Sequence, residues 1–155
     1  MSRPVHVRRA GSADLDIVAR EFHTLWPEGT LGEHEAEVRA VLAGRPPSTM
    51  PVVVFVAEID DKVVGFVEVG LRSHADGCNA LRPVAFIEGW HVEPQHRRRG
   101  VGRALIGAAE HWARSNGCTE MASDTWIDNE PSQHAHEALG FDVVDRCVHY
   151  RKGLR

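Results

Sequence analysis

Apolar positions along this chain follow two alternating periods, and each change of period marks an element. Val5 to Arg8 alternates and predicts a short strand. Gly11-Ser12-Ala13-Asp14 then offers a helix start with Ser12 as N-cap. Leu15, Val18, Phe22 and Leu25 fall at i, i+3, i+7 and i+10, the apolar face of a helix that ends near Trp26, where Pro27-Glu28-Gly29 breaks it. A second helix is predicted from Leu31 to Ala43, with Val38, Val41 and Leu42 inward and Gly44 as its C-terminal cap. Val52 to Ile59 and Lys62 to Leu71 are β-branched runs joined by Asp60-Asp61, the pattern of an antiparallel hairpin. Arg72 to Arg82 reads as a polar loop, and Val84 to Val92 as a central strand.

Leu105, Ala108, Ala109 and Trp112 give the next helix a buried face, Glu110 and Arg114 form an i,i+4 pair on it, and Gly117 ends it. Cys118 to Thr125 then predicts a strand parallel to Val84–Val92, because a helix joins the two. Asp128 or Asn129 caps a last helix from Glu130 to Leu139 that stops at Gly140, and Phe141 to Lys152 is expected to close the sheet with one or two strands. The hairpin argues against a purely parallel doubly wound sheet. With 155 residues, 43% of them hydrophobic, and neither repeats nor linkers, residues 1–155 are expected to form a single domain.

Composition narrows the function. A formal charge of −4 with ten histidines argues against nucleic acid as partner and suits a cationic substrate. No run of about 18 apolar residues occurs, and the N-terminal residues lack a signal-peptide core, so a soluble cytoplasmic protein is expected. Cys78, Cys118 and Cys147 have no metal-site spacing, which implies no metal, no disulfide and a reducing compartment.

The stretch from Gln95 to Arg103 carries the most chemistry. It joins a strand to a helix and combines Arg97, Arg98, Arg99 and Arg103 with Gly100, Val101 and Gly102. A helix start aims unpaired N–H groups at whatever lies beyond the strand, glycines let phosphate oxygens approach the backbone, and arginines add charge-assisted bonds. No Gly-Lys-Ser/Thr follows, which sets aside a Walker loop, and Ala104-Leu105 spoils the dinucleotide fingerprint. What remains is Arg-x-x-Gly-x-Gly, Arg97 to Gly102, which reads as a pyrophosphate cradle or as an ordinary basic helix start on a solvated surface. A second signal is Glu88, a carboxylate inside the apolar strand Ala85-Phe86-Ile87-Glu88-Gly89-Trp90, where an unpaired buried charge is expensive. Glu88 therefore belongs in a cleft, or else faces outward against a surface arginine.

Arg97–Gly102, followed by helix, strand, Asn129 and Leu139-Gly140-Phe141, resembles the GCN5-related N-acetyltransferase (GNAT) superfamily. Phe86 to Val92, Ala109 to Ala113, Cys118 to Thr125 and Leu25-Trp26-Pro27-Glu28 are similar to the bacterial aminoglycoside 6'-N-acetyltransferases within it. The resemblance implies a mixed α/β fold of the α+β type. Its sheet would be mostly antiparallel, with six or seven strands, flanked by about four helices. It also implies a homodimer, acetyl-CoA as cosubstrate and a cationic aminosugar as acceptor.

Roles follow residue by residue. The resemblance implies that main-chain groups of Trp90, His91 and Val92 pair with the pantetheine arm, that the 97–103 turn holds the pyrophosphate, and that Asn129 contacts the arm. Acyl transfer needs a neutral amine, and freeing a lone pair at pH 7 from an amine of pKa about 10 costs roughly 4 kcal/mol. Asp124 matches the position that binds and deprotonates the amine, with Glu88 beside it. Trp26, Glu28 and Asp145 match acceptor-binding positions, and His34 is a candidate proton shuttle. Most of the superfamily carries a tyrosine general acid where this chain has His136, and the aminoglycoside subgroup usually has a tyrosine where this chain has Ala75. Another small amine, a polyamine or a protein N-terminus stays open as acceptor, and so does a non-catalytic acyl-CoA sensor.

Overall fold

The computed structural model describes residues 3–155. One sheet holds β1 (His6–Arg9), β2 (Val52–Ile59), β3 (Lys62–Arg72), β4 (Val84–Val92) and β5 (Met121–Ser123), side by side in chain order. Neighbours are antiparallel except β4 and β5, which run parallel because helix α3 (Val101–Ser115) makes the crossover between them. Helices α1 (Leu15–Leu25) and α2 (Leu31–Leu42) precede β2, and α4 (Glu130–Ala138) follows β5. No helix of the described residues is long and apolar enough to cross a membrane.

Strand alternation divides the core into two layers. Val54, Val56 and Phe66 face Val18, Phe22 and Val38 of α1 and α2, whereas Val53, Ala57, Val67 and Val69 face Leu105, Ile106 and Ala109 of α3. Phe22 and Phe66 are fully buried with ring centres 4.9 Å apart, and burying each is worth about 1.5–3 kcal/mol. The β2–β3 hairpin turns on Asp60 (φ 51°) and Asp61 (φ 60°), two left-handed residues of the kind that match the twist of paired strands.

Three expectations need correction. Ser12 makes no capping bond. Asp14 accepts from the Gly11 N–H and takes both arms of the Arg8 guanidinium at 2.7 and 2.9 Å, a stronger set of bonds than a serine hydroxyl offers. The strand expected over Cys118–Thr125 shrinks to Met121–Ser123, because only Ala85, Phe86 and Ile87 of β4 pair with it. Residues 141–155 form no strand, so among the described residues the sheet has five strands rather than six or seven. Val143, Val144 and Val148 are exposed there.

Candidate active site

A bulge in β4 organises the site. Glu68 lies opposite Gly89 and Val69 opposite Ile87, which leaves Glu88 as an extra residue. The extra residue reverses the alternation: Ala85 and Ile87 pack toward α3 before it, and Trp90 and Val92 after it. Glu88 and Gly89 thus both turn toward α1 and α2. Glycine is required at 89, since a Cβ there would stand 2.5 Å from Trp26 Cη2. Past Ile87 the β5 side of β4 is unpaired, so a strand edge lies open from Glu88 to Val92.

On the α2 side, Arg72 donates two hydrogen bonds to Glu88, at 2.8 and 2.7 Å, and its guanidinium lies 3.5 Å from the centre of the Phe86 ring. The Glu88 bonds hold the Arg72 pKa above its ordinary value, and Asp124, exposed just past β5, adds to that field. Both alternatives weighed for Glu88 are therefore realised: it lines a recess and it is paired with an arginine. Glu68 of β3 and Glu37 of α2 line the same recess. Neither was singled out from sequence. Glu68 had the same signal as Glu88, a carboxylate within the apolar run Val67-Glu68-Val69.

Trp26 ends α1 and packs edge-on against Phe22 at 5.1 Å. His34 is buried, and its Nε2–H donates to the Trp26 carbonyl at 2.9 Å, which fixes the α1–α2 turn. Glu28 is exposed in that turn. Asp145 lies in the exposed C-terminal segment, where its carboxylate accepts from the Arg146 N–H, and it is not part of the recess.

On the α3 side, Arg98 (φ 60°) and Gly100 (φ 81°) are left-handed, and α3 begins without a side-chain cap. Gly102 lets that first turn rest on Trp90, because a Cβ would stand 2.9 Å from Trp90 Cζ2. Arg98, Arg99 and Arg103 are exposed and have no carboxylate partner among the described residues. Arg97 differs from them: its Nε–H donates to the Val92 carbonyl at 2.8 Å, and its Nη2 lies 3.5 Å from His91 Nε2. His91 Nδ1–H in turn donates to the buried Glu21 carboxylate of α1, so the turn is tied across the strand to the first helix. Asn129 caps α4 by accepting from the Ser132 N–H at 3.2 Å.

His136 of α4 donates from Nδ1 to the Ser132 carbonyl at 2.7 Å, which leaves Nε2 to accept from the Ser123 hydroxyl at 2.8 Å. Its ring stands edge-on to Trp90 at 5.3 Å, and the Trp90 indole N–H is buried without a partner among the described residues. Ser123 at the end of β5 thus joins His136 to the open edge of β4, a link no sequence spacing announces.

Both the sequence and the fold are shared with known proteins. The sequence pattern of the acetyltransferase (GNAT) family matches residues 15–141. The chain belongs to that family. It is 47% identical over 130 residues to the aminoglycoside N(6')-acetyltransferase type 1 of Klebsiella aerogenes, covering 84% of each chain. With that of Salmonella typhimurium it shares 38% over 147 residues, 94% of this chain and 97% of the other. The structure of AAC(6')-Iy in complex with the bisubstrate analogue CoA-S-monomethyl-acetylneamine superposes with a TM-score of 0.87 at 34% identity, covering 97% of this chain and 99% of that one. Within this family setting Ala75 has a physical account. It is buried against Val84 and Phe86, in a space that a tyrosine side chain would overfill.

Proposed function

We propose that this chain is an acetyl-CoA-dependent N-acetyltransferase acting on the 6'-amino group of aminoglycoside antibiotics in the bacterial cytoplasm, and that residues 1–155 work as one domain. The observation that carries this is the opening of β4 past Ile87, with the basic turn on its α3 side and Glu88, Arg72 and Asp124 on the other.

The α3 side suits the coenzyme. An uncapped helix start, left-handed Arg98 and Gly100, and three unpaired arginines make a place for a pyrophosphate, and the orphaned Trp90 N–H offers a further donor. Gly100, Val101, Gly102 and Arg103 would hold the diphosphate, helped by Arg98 and Arg99. Main-chain groups of Trp90 and His91 would pair with the pantetheine arm, with Asn129 at its far side. Arg97 is better described as the brace of this turn, since its Nε–H already bonds to Val92.

For transfer, Asp124 attracts the acceptor ammonium and takes its proton, directly or through water. The freed nitrogen attacks the thioester carbonyl, where a main-chain N–H at Trp90 or His91 stabilises the oxyanion. The new C–N bond forms, the C–S bond breaks, and the thiolate leaves. As an imidazolium His136 donates from both nitrogens: its Nε2–H passes to Ser123 Oγ while the Ser123 hydroxyl gives its own proton to the thiolate sulfur, and the ring returns to the neutral form that accepts from Ser123 at 2.8 Å. Glu88 holds Arg72 in place beside the reacting position and contributes negative potential. Trp26, fixed by His34, offers an aromatic face for a sugar ring, flanked by Glu28.

Exposed Val143, Val144, Val148 and Tyr150 suit burial against a second copy, so the working unit is a homodimer, with Asp145 carried on the same segment. Sedimentation at micromolar concentration tests it, and a monomer would remove it. The reaction itself is tested by thiol release with kanamycin-like acceptors carrying a 6'-amine or a 6'-hydroxyl. Release only with the amine is expected, and equal turnover of both would overturn the regiochemistry.

A further inference from the structure

The recess beside Glu88 is acidic well beyond what one reacting amine needs. It encloses about 320 Å³ between α2, the 46–48 loop and strands β3 and β4, near the lower end of the roughly 300–1,000 Å³ typical of small-molecule sites. Glu68 projects from the same face as Phe66, is 5% exposed, and leaves Oε2 without a hydrogen-bond partner among the described residues. Arg72 is the cation on the recess wall, but its Nε–H and Nη2–H both go to Glu88 and do not compensate Glu68. Glu37, facing from α2, adds negative charge and removes none.

Folds do not keep an orphaned carboxyl inside a cavity for stability, since an apolar residue of similar size would fill that space at lower cost. Val41, Pro46 and Leu71 add apolar wall beside the carboxylates. The carboxylates line the recess without forming a metal-ligand cluster among the described residues, which favours an organic cation.

We propose that this recess is a second cation subsite, in which Glu68 and Glu37 receive an ammonium group of the acceptor other than the one acetylated. This rests on the aminosugar reading above and specifies it: the preferred acceptors carry a further amine placed to enter between α2 and β3. The groups facing Glu68 are Glu37 from α2, Glu88 from β4 and Arg72 from β3. Burial, then the Glu37 and Glu88 charges, push Glu68 up to about 8, so it holds a proton at pH 7 when the recess is empty. An entering ammonium favours the ionised form, and the Glu68 proton leaves to solvent as the ligand binds.

The test uses the full chain with neamine, which carries several amines, and methyl 6-amino-6-deoxyglucoside, which carries one. In Glu68→Gln, which keeps the shape of the protonated acid, the KM for neamine is expected to rise about tenfold with kcat within twofold, while the KM for the single-amine sugar stays unchanged. Calorimetry at pH 7 in buffers of different ionisation enthalpy should show neamine binding releasing about one proton fewer in the variant. Glu37→Gln should raise the neamine KM less and leave the proton count near wild type. An equal rise in both KM values, no change for neamine, or an unaltered proton count would overturn the subsite. Acetylation of the single-amine sugar by the wild type sustains the transferase reading whatever Glu68 does. Should the wild type acetylate neither sugar, that reading falls, and calorimetric neamine binding to wild type and variant still decides the subsite.

Discussion

The turn before α3 and the recess under α2 both adjoin β4, yet they are made of different material. The turn is backbone: consecutive N–H groups, two left-handed residues and a glycine that lets the helix approach Trp90, all drawn from a few neighbouring residues. The recess is side chains, with Glu37, Glu68, Arg72 and Glu88 contributed by α2, β3 and β4, and Asp124 just past β5. On the function proposed above, the coenzyme would meet a site built of main chain, which tolerates changes of side chain. An acceptor that varies suits one built of side chains carried on separate elements. The bulge at Glu88 serves both, because it opens the strand edge for one and turns a carboxylate toward the other.

This division can be broken by variants that act on one side alone. Asp124→Asn should have the largest effect, lowering kcat a hundredfold or more while leaving coenzyme affinity within about twofold by calorimetry. Near wild-type turnover across the pH range would remove Asp124 from the chemistry. Gly89→Ala forces a methyl group into Trp26 and should destabilise the fold by about 2 kcal/mol in urea unfolding. It should also raise the acceptor KM more than the coenzyme KM, and the reverse order would contradict the side assigned to Trp26. Arg97→Ala removes the brace on Val92 and should weaken coenzyme binding about tenfold, or about 1.4 kcal/mol, with acceptor KM unchanged. Equal losses for both substrates would mean that the two halves are not separable.

A further variant sharpens the acceptor side through stability rather than turnover. The Glu68 pKa, at about 8 in the fold, lies above the roughly 4.3 of an unfolded carboxyl, so the native state keeps a proton that the unfolded chain loses. Its contribution is most favourable below about pH 4.3 and is lost as pH rises toward 8. Glu68→Gln should flatten that decline, so between pH 5 and pH 8 the variant gains roughly 3–4 kcal/mol on the wild type in urea unfolding. Parallel pH profiles would show that Glu68 is not a buried acid.

The elements were legible because each depends on local spacing. The α1 face of Leu15, Val18, Phe22 and Leu25, the Asp60-Asp61 turn, and the Glu110–Arg114 pair at 3.5 Å all follow from residues close in the chain. Asn129 rather than Asp128 proved to cap α4, a choice between neighbours that hydrogen-bond geometry makes. Arg72 was not legible as the partner of Glu88, because their pairing depends on the β3–β4 register. His34 shows the same limit: ten histidines look alike in sequence, and only packing commits this one to the Trp26 carbonyl.

By itself the sequence determined the order of elements as far as α4, the hairpin, the parallel crossover around α3 and the basic glycine turn, since periodicity, turn chemistry and helix ends act over a few residues. Tertiary structure alone decided where β4 bulges, which carboxylates share the recess, and that Ser123 meets His136. Those outcomes depend on register and on how helices settle onto the sheet, and both are set by contacts between residues far apart in the chain.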